Sequence, residues 1–388
     1  MAALAAARRG LRVLVLEQTQ APGRKFSMLR RGQGSISHEL ISHEYFHGRH
    51  GRFAIDALGA LDADALQALF NELGIELQLD DGLLRHGEKR GHDLARALTA
   101  AIEAAGGEIR CGVTVLGLSR KRTWAVATTV GQFSAKRVVL ALGGPHFPQL
   151  GGSEDGLRIA RSLGHSIEPH SPAVVGVRTR EIWPFRLAGL WMECGVTLFS
   201  ADKPLSEAKG LVLFTAGALV GPAIASISRE VEPALALGKE LKLSINFYPE
   251  QTQSEVATWF FRTLGQHTRK FAPDAMNDML PRRLATELCR VAGVDPRWRC
   301  DRLDPDQRKR VEGLLTDTRL TITGTLGWRA AEATRGGVNV REVDPKSFES
   351  KTQKGLHIVG DLLDVDAPIA AMNVHFALAS GWCAGSGL

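Results

Sequence analysis

The chain has 388 residues, of which 44% are hydrophobic, enough for a large core and for two or more domains. Its 41 glycines and 2 tyrosines fit an α/β protein with many tight turns better than a β-sandwich, and no run of about 18 apolar residues predicts a membrane span. The net charge of +6 permits an anionic partner, but Lys and Arg are spread along the chain, so it demands none.

Cys111, Cys194, Cys289, Cys300 and Cys383 form no C-x-x-C pair, and they read as reduced thiols of a cytoplasmic protein, not as a disulfide framework or a zinc site. The N-terminal segment is apolar first and basic after. A signal peptide has the reverse order, so none is expected.

In chain order, residues 2–9 favour a helix that Gly10 stops. Leu11–Glu17 is apolar and β-branched and ends in an acid, which predicts a buried parallel strand with Glu17 placed to accept from ribose hydroxyls. A dinucleotide fold places a strand and a Gly-x-Gly-x-x-Gly turn ahead of such a helix, and the sequence given starts inside the helix. Ala21–Lys25 is a turn carrying two cations, residues 53–74 read as a helix, and residues 77–91 as a hairpin. A helix over 93–106 has Asp93 in its first turn and Gly106 as its stop. Strands follow at 108–118, 123–130 and 133–138. Val138–Leu142 then enters the Gly143-Gly144 turn, and a helix over 153–163 opens at Ser153.

Pro169–Pro172 marks a boundary, after which short β-rich runs dominate to residue 247 and helical patterning to about 318, before a strand at 320–326. Leu356–Val359 runs into Gly360-Asp361, and a helix opens near Asn373. In flavoproteins a strand, an acid and a helix start in this order meet the flavin and the pyrophosphate, because free N–H groups and the positive dipole end face an acceptor. The expected organisation is 1–172 and 322–388 as one domain, with a β-rich part over 173–250 and a helical part over 251–321 inserted.

Four segments occur together: Pro22–Lys25, Ala141–Gly151 with Gly156, Leu213–Pro222, and Ala331–Val338 leading to Gly360–Asp366. In order and spacing they resemble the bacterial BaiN/RdsA, or aminoacetone-oxidase-like, family of NAD(P)/FAD-dependent oxidoreductases over nearly the whole chain. The resemblance implies an α/β fold: a three-layer ββα FAD-binding domain with an inserted β-barrel-like and helical domain. It implies that Glu17 holds the adenosine ribose, Arg24 and Lys25 lie near the flavin or its phosphates, and Val115 meets adenine through its backbone. Ala141, Gly143 and Gly144 would let the chain pass close to the cofactor. Gly360 and Asp361 would meet the ribityl-pyrophosphate region, and Asn373 would start the helix aimed at the ring. His38 and His375 are candidates for proton transfer by their position, with no catalytic residue designated.

The chain departs from the family at the cofactor-facing surface. The N-terminal glycine turn is absent from the sequence given, which reads as an N-terminally truncated member. Gly34 and Ser35 stand where the family has Cys and Asn, Arg30 and Arg31 replace glycines, and Ala370–Asn373 replaces Gly-Gly-Tyr-Asn. A Cβ where the family has none restricts close approach. The expectation is an FAD enzyme with NAD(P)H as electron donor and a small unsaturated or amine compound, or a nucleobase in RNA, as substrate. The alternative is a non-catalytic or FAD-deficient remnant acting as a binding protein.

Overall fold

The computed structural model describes residues 1–28, 34–88 and 90–388. Arg30 and Arg31 lie outside the described residues. The chain divides into two compact units, Met1–Val174 with Trp328–Leu388, and Val175–Gly327.

The first unit is built around the C-terminal helix Ala370–Gly387. Its residues are apolar or small almost all round, which is the pattern of a helix packed on several sides. The Ala2–Arg8 helix lies against it, and a Cβ on Gly385 would collide with the Ala2 carbonyl oxygen, so the glycine sets how closely the two backbones approach. Strand Val138–Leu140 pairs in parallel with Leu356–Ile358, joining segments on either side of the second unit. Strand Ile167–Ala173 pairs antiparallel with Ala333–Val338.

Several expected boundaries shift. Leu11–Glu17 was expected to be a buried strand; the strand is Leu14–Glu17, and Leu11 and Leu14 are 40% and 36% exposed. It is bonded in parallel to Glu108–Cys111 in a two-stranded ladder, and so small a sheet leaves part of the strand in solvent. The helix expected over 53–74 is broken: Asp62 accepts from the Ala65 N–H at 2.8 Å and caps a new helix, Ala63–Glu72. The strand expected over 108–118 is interrupted at Gly112, so Val115 opens a separate strand, Val115–Arg120, which pairs antiparallel with Trp124–Thr128. Pro169–Pro172 lies inside a strand with a register irregularity between Glu168 and Ser171. The C-terminal helix begins at Ala370, a turn before Asn373.

The second unit is a closed barrel of six strands with helices packed on it. Its long hairpin, Trp191–Ser200 with Lys203–Phe214, alternates buried and exposed residues, the pattern of a sheet with one face inside. Strand Leu241–Asn246 bridges the hairpin to Thr318–Thr325. That last strand stays whole in this unit, whereas the expected boundary at 322 would cut through it. Helices Gln253–Gln266 and Pro305–Thr316 each start with a capping box, Thr252 with Glu255 and Asp304 with Gln307. Among the described residues no helix is long and apolar enough to cross a membrane.

Candidate functional site

The parallel pair Val138–Leu140 and Leu356–Ile358 delivers two turns to one place. Both strands are three residues long and largely apolar, and the chain reaches glycine within three residues of each, at Gly143 and Gly360. A cavity of about 280 Å³ opens there, lined by Lys25, Phe26, Ala141, Gly143, His146, Gly360, Asp361 and Asn373, with Val374, Ala377 and Leu378 from the C-terminal helix.

One wall is a buried polar cluster. Asp361 Oδ2 accepts from the Gly144 N–H at 3.1 Å, and Oδ1 accepts from the Thr334 N–H at 3.3 Å. His146 Nδ1 lies 2.9 Å from Asp361 Oδ2 and 3.2 Å from Thr334 Oγ1. His146 Nε2 is 3.2 Å from Lys25 Nζ, which also approaches the Gly144 carbonyl at 3.4 Å. An ammonium can only donate, so Nε2 accepts from Lys25 and the ring proton sits on Nδ1, aimed at Asp361. Burial by itself raises the Asp361 pKa. The interaction with His146, the Lys25 ammonium and the Thr334 bond outweigh it and hold the carboxyl below its ordinary value. Lys25 is pushed down by burial, against the pull of Asp361 and Glu17. A Cβ on Gly144 would collide with Thr334 Oγ1 and Asp361 Oδ2, so the cluster closes only around glycine.

Another wall is the side of the C-terminal helix, from Asn373 to Gly381, one turn past the helix start. Its N-cap is Ile369, with no side-chain cap bond, and its first turn holds no acid. The first N–H groups are therefore open to an external acceptor. Asn373 is turned inward: its Oδ1 accepts from the Ala367 N–H, and its Nδ2 donates to the carbonyls of Ala367 and Ile369.

The residues singled out from the sequence divide into two groups. Lys25, Ala141, Gly143, Gly360, Asp361 and Asn373 line the cavity, and Gly144 braces it. Glu17, Arg24 and Val115 are not in its lining. Glu17 Oε1 accepts from the Thr19 N–H at 2.7 Å, and Arg24 is exposed.

Neither histidine proposed for proton transfer reaches the cavity. His375 is fully buried; its Nε2 donates to the Leu61 carbonyl at 2.7 Å, so its Nδ1 accepts from Ser37 Oγ at 2.7 Å. Both ring nitrogens are spent on the fold. His38 Nδ1 accepts from the Leu40 N–H at the end of a strand.

Sequence reasoning missed His146 and Thr334. His146 lies inside the motif Ala141–Gly151, where a histidine two residues beyond a Gly-Gly turn was the available signal. Thr334 lies in the Ala331–Val338 motif.

The cavity joins a cation, a buried carboxylate and an apolar helix side. Chemically it suits a flat, partly apolar ring carrying carbonyl acceptors, next to an anionic or hydroxylated chain.

Residues 1–387 match the family described as HI0933-like protein Rossmann domain. A 3-dehydro-bile acid delta(4,6)-reductase of Clostridium scindens is 29% identical, over 99% of this chain and 95% of the relative. A ribosomal RNA dihydrouridine synthase of Escherichia coli is 25% identical, over 96% of this chain and 91% of the relative. Among solved structures, a 3-ketosteroid delta1-dehydrogenase of Sterolibacterium denitrificans aligns with a TM-score of 0.45 at 12% identity, over 99% of this chain and 96% of that one.

Proposed function

Because the chain belongs to the HI0933-like Rossmann family, we propose that it is a flavin-dependent oxidoreductase whose FAD ring occupies the cavity between Lys25 and the side of the Ala370–Gly387 helix. The reading is carried by one observation: a buried Asp361–His146–Lys25 cluster and the side of the C-terminal helix, at Val374, Ala377 and Leu378, line one cavity edged by Gly143 and Gly360. Those features fit a flavin, which offers a flat apolar ring to the helix side and hydroxyls to a carboxylate.

FAD, when bound, supplies hydride transfer between a reduced nicotinamide donor and an unsaturated acceptor. The protein's own residues bind and orient. The side of the helix, at Val374, Ala377 and Leu378, covers the ring, and Lys25 holds positive charge beside the ring or a phosphate. Asp361, kept ionised, takes a ribityl hydroxyl, while His146 and Thr334 fix its rotamer. Glu17 keeps one carboxylate oxygen on Thr19 and offers the other to the adenosine ribose. Val115 meets the adenine at the same end of the dinucleotide through its backbone, and Arg24 lies near the flavin or its phosphates. NAD(P)H is the proposed donor. Relatives named for a bile-acid reductase and for a dihydrouridine synthase of ribosomal RNA support either a small unsaturated molecule or a nucleobase as acceptor.

The test is the flavin-to-protein absorbance ratio of the purified chain, before and after incubation with FAD. A yellow protein approaching one flavin per chain, bleached by NADH or NADPH, is the expected result. A folded, colourless protein that takes up no added FAD would reject the reading. Replacing Glu17 by Ala should weaken FAD by about 1–3 kcal/mol in a flavin-fluorescence titration.

A second reading, a family member that holds flavin weakly and acts as a binding protein, is favoured by the cavity itself. Its volume of about 280 Å³ falls just short of the ~300–1,000 Å³ usual for ligand sites.

A further inference from the structure

The second unit has an open groove on its surface, of about 660 Å³, within the usual ~300–1,000 Å³ of small-molecule sites. Its wall is made by Arg178 from the barrel strand Val177–Thr179, Thr323 from the neighbouring strand, Phe185, Leu326 and the turn Thr215–Ala218.

The turn is held in place from within. Thr215 N–H and Oγ1 both donate to the Ala218 carbonyl, at 3.0 and 2.7 Å, and Oγ1 accepts from the Ala218 N–H at 3.1 Å. The Thr179 hydroxyl is likewise spent, donating to the Glu181 carbonyl at 2.8 Å. Polar recognition in the groove therefore falls to Arg178 and Thr323, both exposed on its wall.

Arg178 is exposed and has no carboxylate partner among the described residues, although Glu181 is near in sequence and Glu232 stands on the helix Val231–Ala236 packed against the barrel. Glu181 is committed to the Thr321 N–H at 2.8 Å. Glu232 is committed to the N–H and hydroxyl of Thr325, at 3.0 and 2.6 Å. A guanidinium whose neighbouring carboxylates are turned to backbone donors keeps its planar fork for an external oxyanion. Beside it, Phe185, Ala218 and Leu326 give the groove an apolar side.

We infer that this groove binds a small carboxylate with an apolar body: the guanidinium of Arg178 takes the carboxylate, the Thr323 hydroxyl adds a donor, and Phe185 and Leu326 cover the body. The inference concerns the barrel unit alone and does not depend on flavin in the first unit.

The experiment is calorimetric titration of the full chain with 4-phenylbutyrate and with its neutral isostere 4-phenylbutanamide. The acid should bind about tenfold more tightly than the amide, and added salt should narrow that gap. Arg178→Gln should abolish the preference and leave the amide unchanged. Phe185→Ala should weaken both ligands together. Arg180→Gln, outside the groove lining, should leave the preference intact and shows that a nearby charge alone does not produce it. Equal affinity of the unaltered chain for acid and amide, no binding of either, or an acid preference that survives Arg178→Gln would each overturn the inference. Circular dichroism of each variant separates a lost site from a lost fold.

Discussion

His375 and His146 are both buried in the first unit, at 0% and 7% exposure, and their surroundings differ in one respect. His375 is held by a serine hydroxyl and a backbone carbonyl, both neutral. His146 is held by a carboxylate and an ammonium, and it faces a cavity. His375 lies in the C-terminal helix beside the motif that suggested a flavin, yet it only ties that helix to Ser37 and Leu61. His146 is far away in sequence and sits in the cavity wall. The difference teaches that a buried histidine is read from its partners. Two neutral partners fix one tautomer and hold the fold together, whereas charged partners leave a polarised group facing the cavity.

The strongest way to break this comparison is to remove Asp361. Asp361→Ala leaves Lys25 and His146 buried without their counter-charge, which should cost about 3–5 kcal/mol in chemical denaturation and abolish flavin uptake. A loss of less than about 1 kcal/mol would mean that the cluster is solvated and the contrast with His375 is empty. His375→Ala removes two buried hydrogen bonds and leaves a void, for an expected loss of about 2–4 kcal/mol. Here flavin affinity per folded molecule should stay within about twofold, and a large drop in affinity would return His375 to the cofactor site.

The smallest effect is on pH dependence, and it separates the two regions by sign and range. Burial pushes His375 below its ordinary value of 6.5. Between the folded value and 6.5 the unfolded chain binds a proton that the folded chain does not, so stability falls as pH drops through that window. His357 and His38, also pushed down mainly by burial, act in the same direction. His375→Gln should therefore remove part of the slope below pH 6.5. Asp361 is held below its ordinary 3.8, so its contribution persists until far more acid conditions and is lost only as pH falls through its folded value. Denaturation midpoints over that pH range that are unchanged by His375→Gln would contradict the assignment of a neutral buried ring.

The local part of this structure was legible in the sequence. The strand Val138–Leu140, its glycine turn, the strand Leu356–Ile358 and the alternating runs of the barrel all announce themselves by pattern. So does Asp361, through its place after Gly360. What was not legible is the pairing that gives these residues their roles. Asp361 meets His146 and Thr334 only because two parallel strands from distant parts of the chain run side by side. Asn373 was read as presenting itself to a ligand, and its amide instead folds back on Ala367 and Ile369, a local competition that the residue type permits but does not announce. The exposure of Leu11 and Leu14 was hidden for the same reason: an apolar run reports what a strand could bury, and its ladder decides what it does bury.

The parallel pair Val138–Leu140 and Leu356–Ile358 also sets a schedule. Lys25, Gly143 and His146 leave the ribosome before the whole Val175–Gly327 unit, while Gly360, Asp361 and Asn373 leave after it. At ~5–20 residues per second, that unit occupies the ribosome for about 8–30 s. Through that interval Leu140 has no strand partner at Ile358 and Lys25 has no Asp361. The barrel can close on its own while the nascent first half waits, so this half is the part of the newborn chain that most needs a chaperone's cover.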